Sequence, residues 1–532
     1  MQAYSLTVDK FLDHAAKWFG GDEVVEAAGG AVVRRATYAA LRERSNRLSG
    51  ALAALGLEPG ARVATLAWNG LDHFQLYYAA MGAGMICHTL NPRLTAGQLA
   101  QMIGEADDRA VAVSANLLPL WLEIAPLAPS VAHVIVLDLG PDDTTAGLPA
   151  NSWPIEALLE AHGCQVPWGE FDEETAAGLC HTSGTTGQPK GVVYSHRSNY
   201  LHTLRVLQAD AMAFTAADTI LAAVPMFHAN GWGLPFAAPA AGAKLVLPGR
   251  HLDGSSLAAL MVAERVTVAV GIHTVWLAVA DYLDQSGEAL PDLERIIIGG
   301  SSCPETLIRR MEDRLGAKVQ TSWGMTELSP LGTILPPHAA HDLGTSGRPI
   351  VGLDLKLTDA SGNRLPEQRN RVGHLKVKGA SVIDRYFEAE AGALDEEGYF
   401  DTGDLAMIDG DGNLTICGRS KDLIKSGGEW INPAEIEAIV GRDPSVGLVA
   451  VISTPHDKWG ERPLLVVEAR AGTEVDPHGL IGALRGKVAD WWIPDSVARI
   501  ETMPLAGSGK IDKAMLRAEL AAGRIAPEPV AL

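Results

Sequence analysis

The segment HTSGTTGQPKGV (181–192) concentrates side chains and glycines that bind phosphate. Hydroxyls and exposed backbone N–H groups donate to phosphate oxygens, and a lysine adds positive charge. The string is not a Walker A loop, because Pro189 stands where that pattern has its second glycine. A flexible surface turn is the alternative, but the string is too particular for it, so we predict a phosphate-binding loop. Its proposed phosphate contacts are Thr182, Ser183, Gly184, Thr185, Thr186, Gly187 and Lys190.

This string resembles the signature of the adenylate-forming superfamily, which includes acyl-CoA synthetases, nonribosomal-peptide adenylation domains and firefly luciferase. Further motifs follow in that family's order, so the resemblance covers nearly all 532 residues. It implies an ATP-dependent acid–CoA ligase that joins a carboxylic acid to AMP and then transfers the acyl group to coenzyme A. The implied cofactors are ATP, Mg²⁺ and coenzyme A. The motifs are WGMTE (323–327), YFDTGDLA (399–406), GRSKD (418–422) and PLAGSGKID (504–512).

The resemblance assigns nucleotide contacts residue by residue. It makes Glu327 the Mg²⁺ ligand and Thr326 a phosphate contact; one glutamate suffices because magnesium keeps several waters and binds phosphate oxygens. It makes Asp404 the acceptor of hydrogen bonds from the ribose hydroxyls, with Arg419 assisting. The alternative for Asp404 is a turn residue, since Asp is common in a TGD string. The remaining ATP and AMP contacts that it implies are Gly300, Ser301, Ser302, Trp323, Gly324 and Met325.

Lys510 lies in a Gly-Ser-Gly loop, where a lysine is usually only solvated. In the family this lysine reaches the active site and contacts both the acid's carboxylate and the α-phosphate. Its charge would offset the repulsion between two anions, and such stabilisation is often the largest catalytic effect. The small domain then rotates about a hinge, which Lys421 matches, and the thiol replaces the lysine. The catalytic candidates are therefore Lys510, Thr326, Glu327 and His228.

The segment KSGGEWINPAEIE (425–437) is similar to the family's coenzyme A segment. Glycines would let the pantetheine arm pass close to the backbone. A plain loop before a capped helix is the alternative. The coenzyme A candidates are Lys425, Gly427, Gly428, Glu429 and Trp459.

The acid pocket is expected where PMFHANGWG (225–233) meets GIHTVW (271–276) and WGM (323–325). If the first segment is helical, His228 and Trp232 lie one turn apart on the same face. Bulky rings favour short or medium acids, and Met and Trp would suit a thioether; a core histidine and simple packing of each Trp are the alternatives. The arrangement is similar to bacterial medium-chain and 3-methylmercaptopropionate–CoA ligases. The proposed pocket residues are His228, Trp232, Trp276, Gly299, Trp323, Gly324 and Met325.

Amino-acid-activating relatives carry an Asp at the position of His228, so an amino-acid substrate is not expected. Related medium-chain fatty-acid and aryl-acid ligases share the same pocket residues, so the acid itself stays open. An oxygenating, luciferase-like enzyme is a rival of the same fold. A non-catalytic adenylate-binding protein is a rival of another class, and the presence of Lys510, Glu327, Asp404 and Arg419 argues against it.

The elements that position these motifs alternate between strands and helices, which predicts parallel sheets covered by helices. We predict a strand at 61–68, a helix at 71–82 and an antiparallel unit after Gly344. The last part predicts a small α+β unit, whose first helix has Asn432 as its N-cap, with a second helix near 477–491. The expected domains are a large α/β domain (1–418), a hinge (419–421) and a small mobile domain (422–532).

The formal charge of −21 argues against nonspecific binding to nucleic acid or to an anionic membrane. The chain has five scattered cysteines and no CxxC pair, and its N-terminal segment lacks the apolar stretch of a signal peptide. A cytoplasmic enzyme acting on small molecules is therefore expected. A homodimer is a common state in the family and stays open here.

Overall fold

A computed structural model describes nine parts of the chain. They form four β-sheets with helices packed against them, which confirms the predicted α/β class. The described residues are 2–140, 149–182, 189–300, 303, 305–339, 344–427, 429–470, 472–506 and 511–530.

The first sheet has seven strands and carries the phosphate-loop motif at one edge. Its strands are parallel except for the last, which runs antiparallel to its neighbour. The strand predicted at 61–68 is observed at Arg62–Leu66. In sheet order the strands are Ser152–Pro154, His133–Leu137, Ala110–Ser114, Arg62–Leu66, Ile86–Thr89, Ala176–His181 and Gly191–Ser195.

The second sheet has nine strands, and its central strands are parallel. The hairpin formed by Glu23–Ala28 and Ala31–Thr37 joins it from the N-terminus by pairing in parallel with Lys244–Leu247. In sheet order the strands are Arg348–Pro349, Leu331–Ile334, Lys318–Gly324, Arg295–Ile298, Val268–Gly271, Thr219–Ala222, Lys244–Leu247, Glu23–Ala28 and Ala31–Thr37.

Helices cover these two sheets. The helix predicted at 71–82 is confirmed as Leu71–Gly82, and all of its residues are buried. A helix buried on every side belongs in the interior of a large domain. The helices up to residue 315 are Asp9–Trp18, Tyr38–Ala54, Leu71–Gly82, Ala96–Ala106, Leu118–Ile124, Ile155–His162, His196–Val206, Leu234–Ala241, Gly254–Glu264, His273–Ser286 and Glu305–Leu315. No helix of the described residues is long and apolar enough to cross a membrane.

The third sheet is the antiparallel unit predicted after Gly344. Its strands are Leu353–Thr358, Val372–Gly379, Phe400–Ile408 and Leu414–Arg419. The strand Phe400–Ile408 was not predicted, because its TGD string is typical of a turn. Its residues alternate between buried and more exposed positions, as expected for a strand with one face on the core.

The last described part is an α+β unit with its own six-stranded sheet. Asn432 caps the first helix as predicted, by accepting a hydrogen bond from the backbone N–H of Ala434. The helix predicted near 477–491 is shorter, since it ends at Gly482 and Gly486 has a φ of +69°. The strands are Ile424–Ser426, Glu429–Ile431, Val446–His456, Gly460–Ala469, Ser496–Ile500 and Glu528–Pro529, and the helices are Pro433–Val440, Pro477–Gly482 and Lys513–Ala521.

An ion cluster around Arg34 joins the first two sheets. The guanidinium lies 2.6 Å from the carboxylate of Glu26, 3.0 Å from that of Asp72 and 2.9 Å from that of Asp138. Burial, together with the neighbouring charges of Asp72 and Glu26, raises the pKa of Asp138 to about 7. The single guanidinium of Arg34 therefore faces three carboxylates. Because of the raised pKa, Asp138 stays protonated up to a pH near neutral.

We expect this cluster to give stability an inverted pH dependence. Because folded Asp138 binds a proton up to pH about 7 and an unfolded Asp releases it near 3.8, the free energy of unfolding falls between these values as pH rises. Asp138→Asn keeps a carbonyl acceptor for Arg34 and removes the titration, so its urea-unfolding free energy should lose this fall. Asp107→Asn, at an exposed carboxylate, is the control. Identical pH profiles for Asp138→Asn and the wild type would contradict the expectation.

Candidate active site

The two ends of the predicted phosphate loop are tied to each other. The strands Ala176–His181 and Gly191–Ser195 pair antiparallel. Beyond them, the N–H of Thr182 donates to the carbonyl of Lys190 at 2.9 Å, and the N–H of Lys190 donates to Thr182 Oγ1 at 3.2 Å. The other predicted phosphate contacts lie outside the described residues. They are Ser183, Gly184, Thr185, Thr186 and Gly187.

Thr326 and Glu327 follow the strand Lys318–Gly324, and each is only 7% exposed. The hydroxyl of Tyr194, on the strand after the phosphate loop, donates to the carbonyl of Thr326 at 2.7 Å. The hydroxyl of Tyr386 donates to Glu327 Oε1 at 2.8 Å. These bonds place the predicted metal ligand beside the base of the phosphate loop.

The oxygen chemistry at Glu327 fits Mg²⁺ bound together with nucleotide. Among the described residues, no group of three or more His, Cys, Asp or Glu side chains could hold a metal alone. Magnesium is commonly bound through one or two carboxylates plus substrate phosphates, so a single buried carboxylate beside a phosphate loop is a sufficient protein contribution.

Tyr386 is a residue of this site that sequence reasoning missed. Lys190 Nζ lies 4.7 Å from the centroid of the Tyr386 ring, while the ring's hydroxyl reaches Glu327. Burial, and next the charge of Glu327, raise the pKa of Tyr386 above its ordinary value. Its only sequence signal is an aromatic pair in the polar string DRYFEAE (384–390), which has no periodicity to mark it.

Asp404 binds two of the predicted site residues, one by a hydrogen bond and one by an ion pair. Trp323 Nε1 donates to Asp404 Oδ2 at 2.9 Å, and Arg419 Nε lies 2.7 Å from Asp404 Oδ1. Asp404 and Arg419 are direct partners on neighbouring strands, and the Asp404 side chain is only 2% exposed. Asp404 therefore lies within a strand rather than at a turn, and the indole N–H of Trp323 is directed at it.

Trp232, Gly299 and Trp323 are close to one another in the same core. A Cβ atom on Gly299 would lie 3.0 Å from Trp232 Cη2 and 2.5 Å from Ser322 Oγ, and Ser322 directly precedes Trp323. Gly299 thus allows the Trp232 ring to approach the strand that leads to WGM. Gly300 has a φ of +82°, and a side chain on Gly324 would overlap the Pro330 carbonyl. Met325 packs against the same core.

The segment that carries His228 and Trp232 is not the right-handed helix that the spacing required. Its residues 229–233 all have positive φ, with 49° at Asn230 and 55° at Trp232, so they form one left-handed turn. Gly231 and Gly233 accept this backbone freely, whereas each non-glycine residue costs about 1–2 kcal/mol. The prediction that His228 and Trp232 share a helical face was therefore wrong. His228 is half-buried, and its carbonyl accepts from the N–H of Gly231 at 2.9 Å.

Two buried side chains hold this left-handed turn. Asn69 binds the preceding segment, since its amide donates to the carbonyls of Ala222 and Val224 at 3.0 and 2.8 Å. Within the turn, Asn230 accepts from the thiol of Cys180, on the strand that leads to the phosphate loop, at 3.5 Å. The segment 225–233, which was expected to line the acid pocket, is therefore in contact with the strand that leads to the phosphate loop.

Trp276 does not join the other pocket residues. Its ring is 2% exposed and lies in a separate hydrophobic core, against Gly271. The core that contains Trp232 and Trp323 is a different one. The predicted pocket role of Trp276 is not supported by this placement, and simple packing explains it.

A buried chain of polar side chains ends at His181, the last residue of the strand before the phosphate loop. The sequence did not predict it. Asp108 Oδ2 lies 2.7 Å from His88 Nδ1, and His88 Nε2 lies 3.1 Å from His181 Nδ1. Burial, and next the charge of His88, lower the pKa of His181 to about 3. His181 is therefore neutral at physiological pH, directly before Thr182.

Comparison with known proteins agrees with this geometry. The family model described as AMP-binding enzyme matches residues 12–387, and the model of its C-terminal domain matches residues 435–510. The chain belongs to the AMP-binding enzyme family. Within this family it is an AMP-forming acyl-CoA synthetase, which uses ATP.

Three relatives within the AMP-binding family are similar over nearly their whole length. A medium-chain-fatty-acid–CoA ligase of Ectopseudomonas oleovorans is 41% identical, with 97% of this chain and 96% of that protein covered. A 3-methylmercaptopropionyl-CoA ligase of Ruegeria lacuscaerulensis is 40% identical, with 98% of each covered. A long-chain-fatty-acid–CoA ligase of Thermus thermophilus is also 40% identical, with 97% and 96% covered. The ATP-bound structure of MatB from Rhodopseudomonas palustris superimposes with a TM-score of 0.84 at 26% identity, over 96% and 98% of the chains.

The described members of the predicted coenzyme A set lie in the hairpin 424–431 of the α+β unit and in the segment that contacts it. The N–H of Gly427 donates to the carbonyl of Trp459 at 2.9 Å, and the Trp459 ring is 43% exposed. Gly427 has a φ of +60°, and a side chain there would strike the Trp459 ring. The N–H of Lys425 donates to Glu461 Oε2 at 3.0 Å, and Glu429 pairs with Ser426 across a hairpin. Gly428 lies outside the described residues.

Lys421, the predicted hinge, lies in the single 3₁₀ turn Ser420–Asp422 that follows the strand ending at Arg419. The neighbouring Asp422 pairs with Arg517 at 2.8 Å, so the chain enters the α+β unit directly after Lys421. Lys510, Ser301 and Ser302 lie outside the described residues.

Proposed function

We propose that this acyl-CoA synthetase activates a short- or medium-chain carboxylic acid without an amino group, using ATP, Mg²⁺ and coenzyme A. The observation that supports the length of the acid is the position of the Trp232 ring, whose Cη2 would lie 3.0 Å from a Cβ atom on Gly299. We infer that this ring limits the depth of the acid pocket. Sequence identity alone does not decide the length, because the medium-chain and long-chain relatives are 41% and 40% identical. A thioether acid such as 3-methylthiopropionate is a specific candidate, supported by the second relative and by the Met and Trp side chains of the pocket.

In the first half-reaction, a carboxylate oxygen of the acid attacks the α-phosphorus of ATP, and pyrophosphate leaves with the electrons of the broken P–O bond. Asp404 binds the ribose, and Lys190 binds the phosphates. A magnesium ion held by Glu327 would neutralise charge on the phosphates. Lys510 bridges the carboxylate and the α-phosphate, which reduces the repulsion of two anions. The acid is already ionised, so no general base is needed.

In the second half-reaction, the thiol of coenzyme A attacks the acyl-adenylate carbonyl, the thiol proton is lost, and AMP leaves. We place the large domain at 1–418 and the small domain at 422–532, with the hinge at Lys421. Rotation there withdraws Lys510 and brings up the surface formed by Lys425, Gly427 and Trp459. Few residues need to change conformation at such a hinge. The five cysteines are scattered along the chain without a CxxC pair, which supports a reducing compartment such as the cytoplasm.

A screen of coenzyme A-dependent AMP release across acids tests the proposed substrate. It should include straight-chain acids from about two to sixteen carbons, 3-methylthiopropionate and an aryl acid, each with an assay lacking coenzyme A as control. We expect kcat/KM to peak at or below about eight carbons, because each added methylene must fit beside the Trp232 ring and a misfit methylene costs about 1–3 kcal/mol. A peak beyond ten carbons would contradict the proposed pocket depth, while acid-independent ATP consumption would contradict the reaction itself.

A further inference from the structure

Tyr386 lies where three parts of the site meet. It belongs to the segment between the strands Val372–Gly379 and Phe400–Ile408 of the antiparallel sheet. Its hydroxyl donates to Glu327 Oε1 at 2.8 Å, and its ring lies 4.7 Å from Lys190 Nζ. One side chain therefore contacts both the predicted metal ligand and the predicted phosphate lysine.

Backbone hydrogen bonds fix this segment on both sides of Tyr386. The N–H of Ile383 donates to the carbonyl of Glu327 at 3.0 Å. The N–H of Phe387 donates to the carbonyl of Gly191, next to Lys190, at 2.8 Å. The distance between Glu327 and the loop base is thus spanned by the five residues 383–387. Tyr386 lies within that span.

We propose that Tyr386 is a positioning residue for magnesium–ATP, which orients the Glu327 carboxylate through its hydroxyl and holds the Lys190 ammonium against its ring. The proposal rests on the roles proposed above for Glu327 and Lys190. A donor on Oε1 fixes the rotation of the carboxylate, and such outer hydrogen bonds typically change metal affinity 10- to 100-fold. The ring face attracts the ammonium through its quadrupole.

Two facts separate positioning from packing. The hydroxyl adds nothing to the ring's contact with Phe400, whose centroid lies 6.3 Å away in an edge-on arrangement. The hydroxyl is directed instead at the carboxylate of Glu327, with its oxygen 2.8 Å from Oε1. Removing only the hydroxyl should therefore disturb the carboxylate and leave the ring in place.

The test measures ATP binding by calorimetry, without acid or coenzyme A, in Mg²⁺ and in EDTA. Tyr386→Phe should weaken binding about tenfold in Mg²⁺ and leave binding in EDTA unchanged, because it removes only the hydrogen bond to Glu327. Tyr386→Leu should weaken binding in both conditions, because it also removes the ring that holds Lys190, a contact worth a further factor of about two to five.

Tyr399→Phe is a matched control within the same sheet. The Tyr399 hydroxyl also donates to a carboxylate, Asp354 Oδ2 at 2.5 Å, and its ring also faces a lysine, with Lys356 Nζ at 4.1 Å. This pair is not part of the proposed site, so ATP binding should be unchanged in both conditions. Thermal unfolding of all three variants measures any structural loss separately.

Equal ATP binding by Tyr386→Phe and the wild type in Mg²⁺ would overturn the proposal. A weakening of the same size in Mg²⁺ and EDTA would overturn it too, because loss of fold rather than loss of metal orientation would then be responsible. If the wild type itself bound ATP equally in Mg²⁺ and EDTA, the proposed role of Glu327 would fail together with that of Tyr386. Failure at Tyr386 alone would leave the ligase reaction, measured by acid-dependent pyrophosphate release, untouched.

Discussion

Lys510→Ala should lower the rate of acyl-adenylate formation about a thousandfold and leave the second half-reaction within about threefold of the wild type. The reason is that only the first step brings two anions together, the acid's carboxylate and the α-phosphate. In the second step the nucleophile is a thiol, and the proposed domain rotation has already withdrawn the lysine. Pyrophosphate release from acid and ATP measures the first step. Thioester formation from a supplied acyl-adenylate and coenzyme A measures the second.

The control for this prediction is Lys487→Ala, an exposed lysine of the same α+β unit. It changes the charge of the domain equally and should leave both steps unchanged. Equal losses in both steps for Lys510→Ala would refute the role assigned to Lys510. They would point instead to a lysine that supports the small domain as a whole.

Asp404→Ala should weaken AMP binding by at least about a hundredfold, because two hydrogen bonds from the ribose hydroxyls to a carboxylate are lost, each worth about 1.5–3 kcal/mol. AMP is the appropriate ligand, since it isolates the ribose contact from the triphosphate and from magnesium. The variant also deprives Trp323 and Arg419 of their common acceptor. Calorimetry with AMP checks the prediction.

Two further variants test whether the loss of AMP affinity is specific to the Asp404 carboxylate. Asp404→Asn keeps one acceptor oxygen and should lose only about tenfold in AMP affinity. Asp401→Ala, at an exposed residue three positions earlier on the same strand, should bind AMP as the wild type does. Unchanged AMP affinity in Asp404→Ala, with the protein still folded, would contradict the ribose assignment.

Elements with a clear hydrophobic pattern could be predicted from the sequence. The strand at Arg62–Leu66, the helix Leu71–Gly82 and the cap at Asn432 are confirmed, because burial and capping leave local signals in the chain. The strand Phe400–Ile408 could not be predicted, since its Gly-Asp pair is also what a turn requires. Tertiary pairing with two neighbouring strands decides its conformation.

Site residues that belong to a recognisable sequence motif could be predicted. Site residues whose role depends only on contacts in the folded structure were missed. Asp404, Arg419 and Trp323 were named from separate strings, and the fold brings Arg419 and Trp323 into contact with the carboxylate of Asp404. Tyr386 had no motif in the sequence reasoning, and its importance appears only beside Glu327. Trp276 was named for its size, which signals burial as readily as binding.

The left-handed turn at 229–233 has a consequence for changing the enzyme's acid preference by directed evolution. Its backbone tolerates few residue types at Gly231 and Gly233, because proline cannot adopt positive φ and β-branched residues adopt it poorly. Libraries that randomise the whole segment would therefore consist mainly of misfolded members. Trp232 also has a positive φ, of 55°. Libraries that fix both glycines, and vary Trp232 only among residues that are neither proline nor β-branched, would keep the scaffold and sample pocket depth directly.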